Sequence, residues 1–269
     1  MLASFTHQGV ELRYYDNQAD GPVLVFQHGL AGDHRQILEI FPPDETGAPG
    51  FRLICLECRG HGGSALGPGS ALCIPQFAAD LLALLTWLRL PRVHLAGISF
   101  GAALVAALAT KMPHKVTSLS LIRPAWLAER NPPNLMIFNV ALAFLQTHGP
   151  LAGQRLFCQS GAYQALAARS ADNARSVLAL FAHPHPQALD LFNRLTLGDP
   201  GLDLAALGAA PWPIQVLGTP QDEIHPLPLA ETLAQRLGLT GIVCLPAKSA
   251  DVQGHYARLR DSLLAQLFA

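Results

Sequence analysis

The stretch that decides the fold lies at residues 93–109 and reads VHLAGISFGAALVAALA. Its first residues form a short apolar run typical of a buried strand, and its alanine-rich second half is typical of a helix. Between the two, Gly97, Ser99 and Gly101 spell G-x-S-x-G. In a strand-turn-helix context this pattern predicts a serine on a sharp turn, with its hydroxyl exposed at the carboxyl edge of a sheet.

The alternation of strand and helix extends on both sides of this stretch. The predicted strands are 23–26, 52–57, 93–96, 116–122, 214–217 and 242–245, and the predicted helices around them are 76–88, 100–111, 227–237 and 254–268. Short apolar strands that alternate with helices indicate a parallel sheet covered by helices on both faces.

The alternation stops between residues 124 and 206, a segment called the insert below. It contains helical stretches, such as 135–146 and 174–181, separated by proline and glycine. A structureless loop of that length is uncommon, so a helical unit is expected. We therefore predict one α/β core domain made of residues 1–123 and 207–269, interrupted by a helical cap at residues 124–206.

Composition excludes several classes of protein. The chain has 269 residues, of which 50% are hydrophobic, and a net charge of −1. This balance is typical of a globular protein and lacks the basic surplus of a nucleic-acid binder. No run of about 18 uninterrupted apolar residues is present, so no membrane span is predicted. With no secretory pattern near the first residue and an odd number of cysteines, a cytoplasmic location is expected.

Two pairs of potential metal ligands carry little weight. Cys55 and Cys58 form a C-x-x-C pair, but they lie in and just after a predicted buried strand and are expected to be free buried thiols. His183 and His185 stand between prolines without a carboxylate or cysteine at ligand spacing. We therefore predict neither a metal nor a cofactor.

Ser99 needs partners to become a nucleophile. An imidazole must remove its proton, and a carboxylate must orient that imidazole. In this architecture the acid follows the serine along the chain and the histidine comes last. Asp222, after a predicted strand, is favoured over Glu223 and Asp251 as the acid, and His255, ahead of the final helix, is the predicted base.

An acyl-transfer site also needs donors for the oxyanion. Such donors are worth about 2.7 to 4 kcal/mol each. The backbone amide of Phe100, directly after the nucleophile, is the first predicted donor. The second is the amide of Leu30, in the loop that follows the first core strand.

These residues together resemble the α/β-hydrolase fold superfamily, in its serine-nucleophile branch with a helical cap. The motifs that carry the resemblance are His28-Gly29-Leu30; Arg59-Gly60-His61-Gly62 with Ser64; Gly97, Ser99 and Gly101; Gly218 with Asp222; and Gly254-His255. The resemblance implies a mostly parallel eight-stranded sheet with helices on both faces. Glu57 departs from the pattern, since relatives usually carry Asp there, and the loop before His255 is more polar and longer than usual.

A serine at the turn implies acyl transfer through an acyl-enzyme. We expect a serine hydrolase for a small to medium, largely uncharged carboxylic ester or lactone, with substrate contacts from His28, Gly29, Met136 and Phe138. The apolar row that includes the last two either roofs the pocket or packs the cap onto the core. A small-molecule substrate is the expected partner, without nucleic acid or membrane, for a monomer or homodimer.

Several alternatives remain open. Within the same fold they are carbon–carbon bond hydrolysis, amide or N-terminal proline hydrolysis, acyl transfer to an acceptor other than water, and perhydrolysis. From another class comes a ligand-binding receptor that retains the triad. Covalent labelling of Ser99 by a fluorophosphonate discriminates the receptor from the enzymes.

Overall fold

The computed structural model describes residues 1–43, 50–182 and 188–269. Its strands are β1 (Leu2–His7), β2 (Val10–Asp16), β3 (Val23–Gln27), β4 (Arg52–Leu56), β5 (Val93–Ile98), β6 (Val116–Ile122), β7 (Ile214–Gly218) and β8 (Val243–Cys244). Its helices are α1 (Arg35–Ile40), α2 (Ile74–Trp87), α3 (Phe100–Ala109), α4 (Met136–Gln159), α5 (Gly161–Arg169), α6 (Ala171–Leu178), α7 (Ala188–Leu197), α8 (Leu204–Gly208), α9 (Leu227–Arg236) and α10 (Val252–Leu267).

The eight strands form one sheet in the order β1-β2-β4-β3-β5-β6-β7-β8. β1 pairs antiparallel with β2, and β2 pairs antiparallel with β4, while all remaining neighbours are parallel. The predicted mostly parallel, eight-stranded sheet is therefore confirmed. Because β3 to β8 run in one direction, the loops after them meet at a single edge.

The apolar runs that predict the core strands do not predict the N-terminal hairpin of β1 and β2. Buried and more exposed residues alternate along β2. Such alternation is typical of antiparallel strands near the edge of a sheet, where one face stays solvated. The hairpin therefore has the weaker, period-two signal of a half-buried strand.

Apolar side chains pack on both faces of the sheet. On one face, α2 and α3 contribute to the larger cluster, and every residue of α3 is buried. On the other face, α1 and α10 cover the strands through residues such as Ile37 and Leu263. The alanine-rich sequence of α3 suits this position, because small side chains let a helix lie close against the sheet.

Between β6 and β7 the described residues of the chain contain helices and no strand. The longest of these, α4, extends well beyond the predicted 135–146 and is kinked at Gly149, where φ is 72°, directly before Pro150. Helix α8 spans residue 206, the predicted end of the insert. The assignment of residues 124–206 as a cap stays a prediction.

Within the part of the chain that is described, the segment Pro133–Gln159 is long and apolar enough to cross a membrane, by length and composition only. It contains the kink at Gly149, and 22% of its most apolar window is buried inside the protein. A single helix of this kind is weak evidence for a membrane protein, so the expected lack of a membrane partner stays a prediction.

Candidate active site

Ser99 lies on the sharp turn between β5 and α3. Its backbone has φ 57° and ψ −116°, a conformation that L-residues rarely adopt. A Cβ on Gly97 would collide with the backbone of Gly101, and a Cβ on Gly101 would collide with the carbonyl groups of Gln27 and His28. The two glycines therefore let α3 begin against β3 and β5, and this packing holds Ser99 at the carboxyl edge of the sheet.

A hydrogen-bonded chain, called the Ser99 relay below, joins Ser99, His225 and Asp222. His225 Nε2 lies 2.7 Å from Ser99 Oγ, and His225 Nδ1 lies 3.0 Å from both carboxylate oxygens of Asp222. The backbone amide of His225 also donates to Asp222 Oδ1 at 2.9 Å. With its proton on Nδ1, the imidazole donates to Asp222 and accepts from the Ser99 hydroxyl, which is the arrangement of a base facing its nucleophile.

His255, the predicted base, is not part of this chain. Its Nδ1 lies 2.8 Å from the Pro246 carbonyl oxygen, and its buried Nε2 has no hydrogen-bond partner among the described residues. Thr219 Oγ1 donates to the same carbonyl at 2.8 Å. His255 therefore helps to tie the loop before α10 to the end of β7. His225 occupies the position beside Ser99 that was expected for His255. It can do so because a histidine three residues after Asp222 reaches that carboxylate within one short loop.

The carboxylate in this chain is Asp222, the candidate that the sequence favours. Asp222 is buried, whereas Glu223 is half exposed and pairs with Arg169. Asp251 instead accepts the amide of Gly254 at 2.8 Å and caps the N-terminus of α10. Of the three candidate carboxylates, Asp222 is the one bonded to a histidine that contacts Ser99.

Burial and neighbouring charges set the protonation states of the Ser99 relay. Burial alone raises the pKa of the Asp222 carboxyl, but His225 and Arg123 outweigh it and hold that pKa well below its usual range. Burial lowers the pKa of His225, and Asp222 opposes this effect only in part. At neutral pH Asp222 is therefore ionised and His225 is neutral, so the imidazole can accept the proton of Ser99.

The two predicted oxyanion donors flank Ser99. Phe100 is the first residue of α3, where backbone amides have no partner within the helix. Leu30 lies in the loop after β3, the parallel neighbour of β5. Gln36 shapes that loop, because its side-chain oxygen accepts the amide of Gly29 at 2.7 Å. The oxyanion role of both amides stays a prediction.

The structure does not support His28 and Phe138 as substrate contacts. The His28 ring is fully buried, with Nδ1 2.8 Å from the Gly29 carbonyl oxygen and Nε2 accepting the amide of Cys58 at 3.1 Å. Phe138 is buried in the larger core cluster, whereas Met136 is 60% exposed. Phe138 therefore packs in the apolar interior, and His28 supports the loop beneath the site.

Among the described side chains, Asp33, His34 and Glu57 could together hold a metal ion, since their ligand atoms lie within 4.8 Å of one another. Each carboxylate already has a donor from the protein: Arg35 bonds Asp33, and the amide of Gly63 donates to Glu57 at 2.7 Å. These partners satisfy the cluster without an ion.

Of the two ligand pairs noted in the sequence, the cysteine pair lies among the described residues. Cys55 and Cys58 are buried free thiols, and burial raises the pKa of both well above the usual value. Thiolates are the metal-binding and reactive form of cysteine, so this environment disfavours both roles. His183 and His185 lie outside the described residues.

Two known proteins are similar to this chain in sequence. The putative carbamate hydrolase RutD of Pseudomonas syringae pv. syringae (strain B728a) is 27% identical over 252 residues, which cover 91% of each chain. The dihydrolipoyllysine-residue acetyltransferase component of the acetoin cleaving system of Pseudomonas putida is 37% identical over 121 residues. That match covers 44% of this chain and only 31% of the Pseudomonas putida protein.

Structural similarity extends over nearly the whole chain. The enol-lactonase from Burkholderia xenovorans LB400 has a TM-score of 0.72 at 18% identity, covering 99% of this chain and 100% of the other. A family model described as the alpha/beta hydrolase fold matches residues 22–223, a range that includes Ser99 and Asp222 and ends before His225. With most of its length matched, the chain belongs to the α/β-hydrolase fold family and is a hydrolase.

Proposed function

We propose that the protein is a serine hydrolase that cleaves a small to medium, largely uncharged carboxylic ester or lactone through an acyl-enzyme on Ser99. The observation that carries this proposal is the Ser99 relay, in which His225 lies 2.7 Å from the Ser99 hydroxyl and 3.0 Å from the Asp222 carboxylate. A hydroxyl, an imidazole and a buried carboxylate in this order form the unit that activates serine for attack on a carbonyl.

The mechanism follows from the atoms of the Ser99 relay. Ser99 Oγ attacks the carbonyl carbon while its proton passes to His225 Nε2, and the amides of Phe100 and Leu30 stabilise the oxyanion. His225 then gives the proton to the leaving alkoxide, so the carbon–oxygen bond breaks and the acyl-enzyme remains. Water deprotonated by His225 attacks the acyl group, and the acid leaves as Ser99 regains its proton. Asp222 stabilises the imidazolium in both halves.

Hydrolysis of carbamates is a second candidate. The relative that the chain matches over 91% of both lengths is a putative carbamate hydrolase, and a structure of similar fold is an enol-lactonase. Carbamates and lactones both present a carbonyl carbon to a nucleophile, so the same relay serves either. We further propose a cytoplasmic monomer or homodimer with residues 124–206 as its cap, acting on small molecules without nucleic acid, membrane or cofactor.

A substrate panel tests the proposed reaction. Esters, lactones and carbamates of graded acyl length are assayed with the wild type and with Ser99→Ala, and a fluorophosphonate is used to label both. We expect turnover of short, neutral esters or lactones by the wild type, and covalent labelling that depends on Ser99. Turnover of carbamates alone would favour the second candidate. Folded wild type that is neither labelled nor active would favour the receptor.

The pH dependence of kcat/KM reports on His225. Only neutral imidazole can accept the serine proton, so kcat/KM should rise with pH as His225 loses its proton. Because burial lowers the pKa of His225, the midpoint of this rise should lie below the ordinary histidine value of about 6.5. The measurement is kcat/KM for an uncharged ester between about pH 4 and pH 9. A flat profile, or a midpoint above the ordinary value, would contradict a buried His225 as the base.

A further inference from the structure

Arg123 occupies an unusual position beside the site. It follows β6 directly and is buried, with a left-handed backbone at φ 45° that favours glycine over arginine. Its amide donates to the Leu217 carbonyl at 2.7 Å, so the end of β7 holds the backbone in this conformation. A long charged side chain is thereby fixed beneath the loop that carries Asp222.

The guanidinium of Arg123 bridges two buried carboxylates. Its Nε donates to Asp222 Oδ2 at 2.6 Å, and a terminal nitrogen donates to Asp172 Oδ2 at 2.8 Å. Asp222 thus receives His225 on one side and Arg123 on another, which leaves its carboxylate little rotational freedom. Asp172 belongs to α6 in the insert, so this bridge connects the acid of the relay to another part of the chain.

Helix α6 also holds the backbone of the same loop. Asn173 is fully buried, and its side-chain oxygen accepts the amides of Glu223 at 2.7 Å and Ile224 at 3.1 Å. These two residues are the ones that separate Asp222 from His225. The side chain of Asp172 and that of Asn173 therefore fix the loop from one helix, the first through Arg123 and the second directly.

The charges around His225 come from several elements. Asp222 lies on the same loop as His225, Arg123 follows β6, and Asp172 lies on α6. All three charges shift the pKa of His225. Lys248, in the loop before α10, lies 3.1 Å from Asp172. Burial lowers the pKa of His255 of α10, Arg123 and Lys248 lower it further, and Asp172 opposes them. Arg123 disfavours protonation of His225, whereas Asp172 favours it. The two partners in the bridge thus act on the imidazole with opposite signs.

We propose that Arg123 is a positioning residue for hydrolysis, which orients the Asp222 carboxylate and so the His225 imidazole, and which couples both to helix α6 through Asp172. This inference rests on the proposed function, because it assigns Arg123 to the same relay. Three matched variants test it. Arg123→Met removes the charge and the donors, and Arg123→Lys keeps the charge without the forked geometry. Asp172→Asn keeps Arg123 and removes one carboxylate charge.

For Arg123→Met we expect kcat to fall by about 10- to 100-fold with little change in KM, because a displaced base weakens catalysis more than binding. The rise of kcat/KM should also move to higher pH, since a positive charge near His225 is gone. Asp172→Asn should move the rise to lower pH, because a negative charge near His225 is gone. Arg123→Lys should leave the midpoint near the wild-type value and restore only part of kcat.

The controls separate this inference from the proposed function. Arg194→Met removes an exposed pair with Asp190, 2.8 Å long, and should leave both kcat and the pH midpoint unchanged.

If the wild type hydrolyses esters and labels at Ser99, but folded Arg123→Met and Asp172→Asn show wild-type kcat and midpoints, the positioning role of Arg123 is wrong. Shifts of both midpoints in the same direction would overturn it too. If Arg123→Met does not fold, the midpoint of Asp172→Asn decides. An unlabelled, inactive wild type would overturn the proposed function itself.

Discussion

Ser99→Ala should lower kcat for ester hydrolysis by about 10⁵- to 10⁶-fold, because no other atom of the Ser99 relay can form the acyl-enzyme. Serine and alanine both carry a Cβ, so the left-handed turn at φ 57° holds either residue with the same strain. The fold should therefore survive, and substrate should still bind. The measurement is single-turnover hydrolysis of an activated ester, with thermal unfolding recorded beside it.

The matched control is Ser262→Ala. Ser262 is partly exposed on α10, where its hydroxyl donates to the Arg258 carbonyl within the same helix. Its removal should leave kcat unchanged. Combining Ser99→Ala with His225→Ala should cost little more than either change alone, since the base has no proton to take once the hydroxyl is gone. Losses that multiply independently would contradict a single relay.

The parts of the site that the sequence predicts are those fixed by local backbone geometry. Ser99 follows from two glycines around a strand-to-helix turn, and Asp222 follows from its place just after a strand. Both depend on residues within a few positions along the chain. The sheet follows for the same reason, because short apolar strands and the helices between them have local periodicity, whereas β1 and β2 have only a weak alternation.

His225 is the residue that sequence reasoning missed. Two histidines, His225 and His255, each follow a strand that ends at the carboxyl edge of the sheet, where Ser99 lies. The family resemblance favours the second. The available signal was the three-residue spacing from Asp222, which brings acid and imidazole together within one turn. Choosing between the two histidines depends on the hydrogen bond between His255, at the start of α10, and the Pro246 carbonyl in the preceding loop, a contact that local patterns do not encode.

Contacts between distant segments explain the remaining gap. Arg123 and Asp172 are 49 residues apart, and Asn173 reaches a loop 50 residues further along the chain. Each is an ordinary polar residue in the sequence. Their significance arises only when helix α6 of the insert meets the carboxyl edge of the sheet, so no motif marks them in advance.

The second large effect concerns which histidine is the base. In His225→Asn the amide nitrogen can still donate to Asp222, but no atom remains to accept the Ser99 proton, so kcat should fall by about 10⁵- to 10⁶-fold. In His255→Asn the amide can replace the bond from Nδ1 to the Pro246 carbonyl. The buried Nε2, which has no hydrogen-bond partner among the described residues, is lost without breaking a bond.

We therefore expect His255→Asn to change kcat by less than about tenfold, the effect of disturbing a single hydrogen bond. Both variants should be assayed on the same ester, with fluorophosphonate labelling of Ser99 as a second readout. Labelling should be slow in His225→Asn and close to the wild-type rate in His255→Asn, because phosphonylation also needs a deprotonated serine. The reverse result, a large loss in His255→Asn with activity kept in His225→Asn, would show that the working enzyme uses His255 and that His225 only occupies the base position at rest.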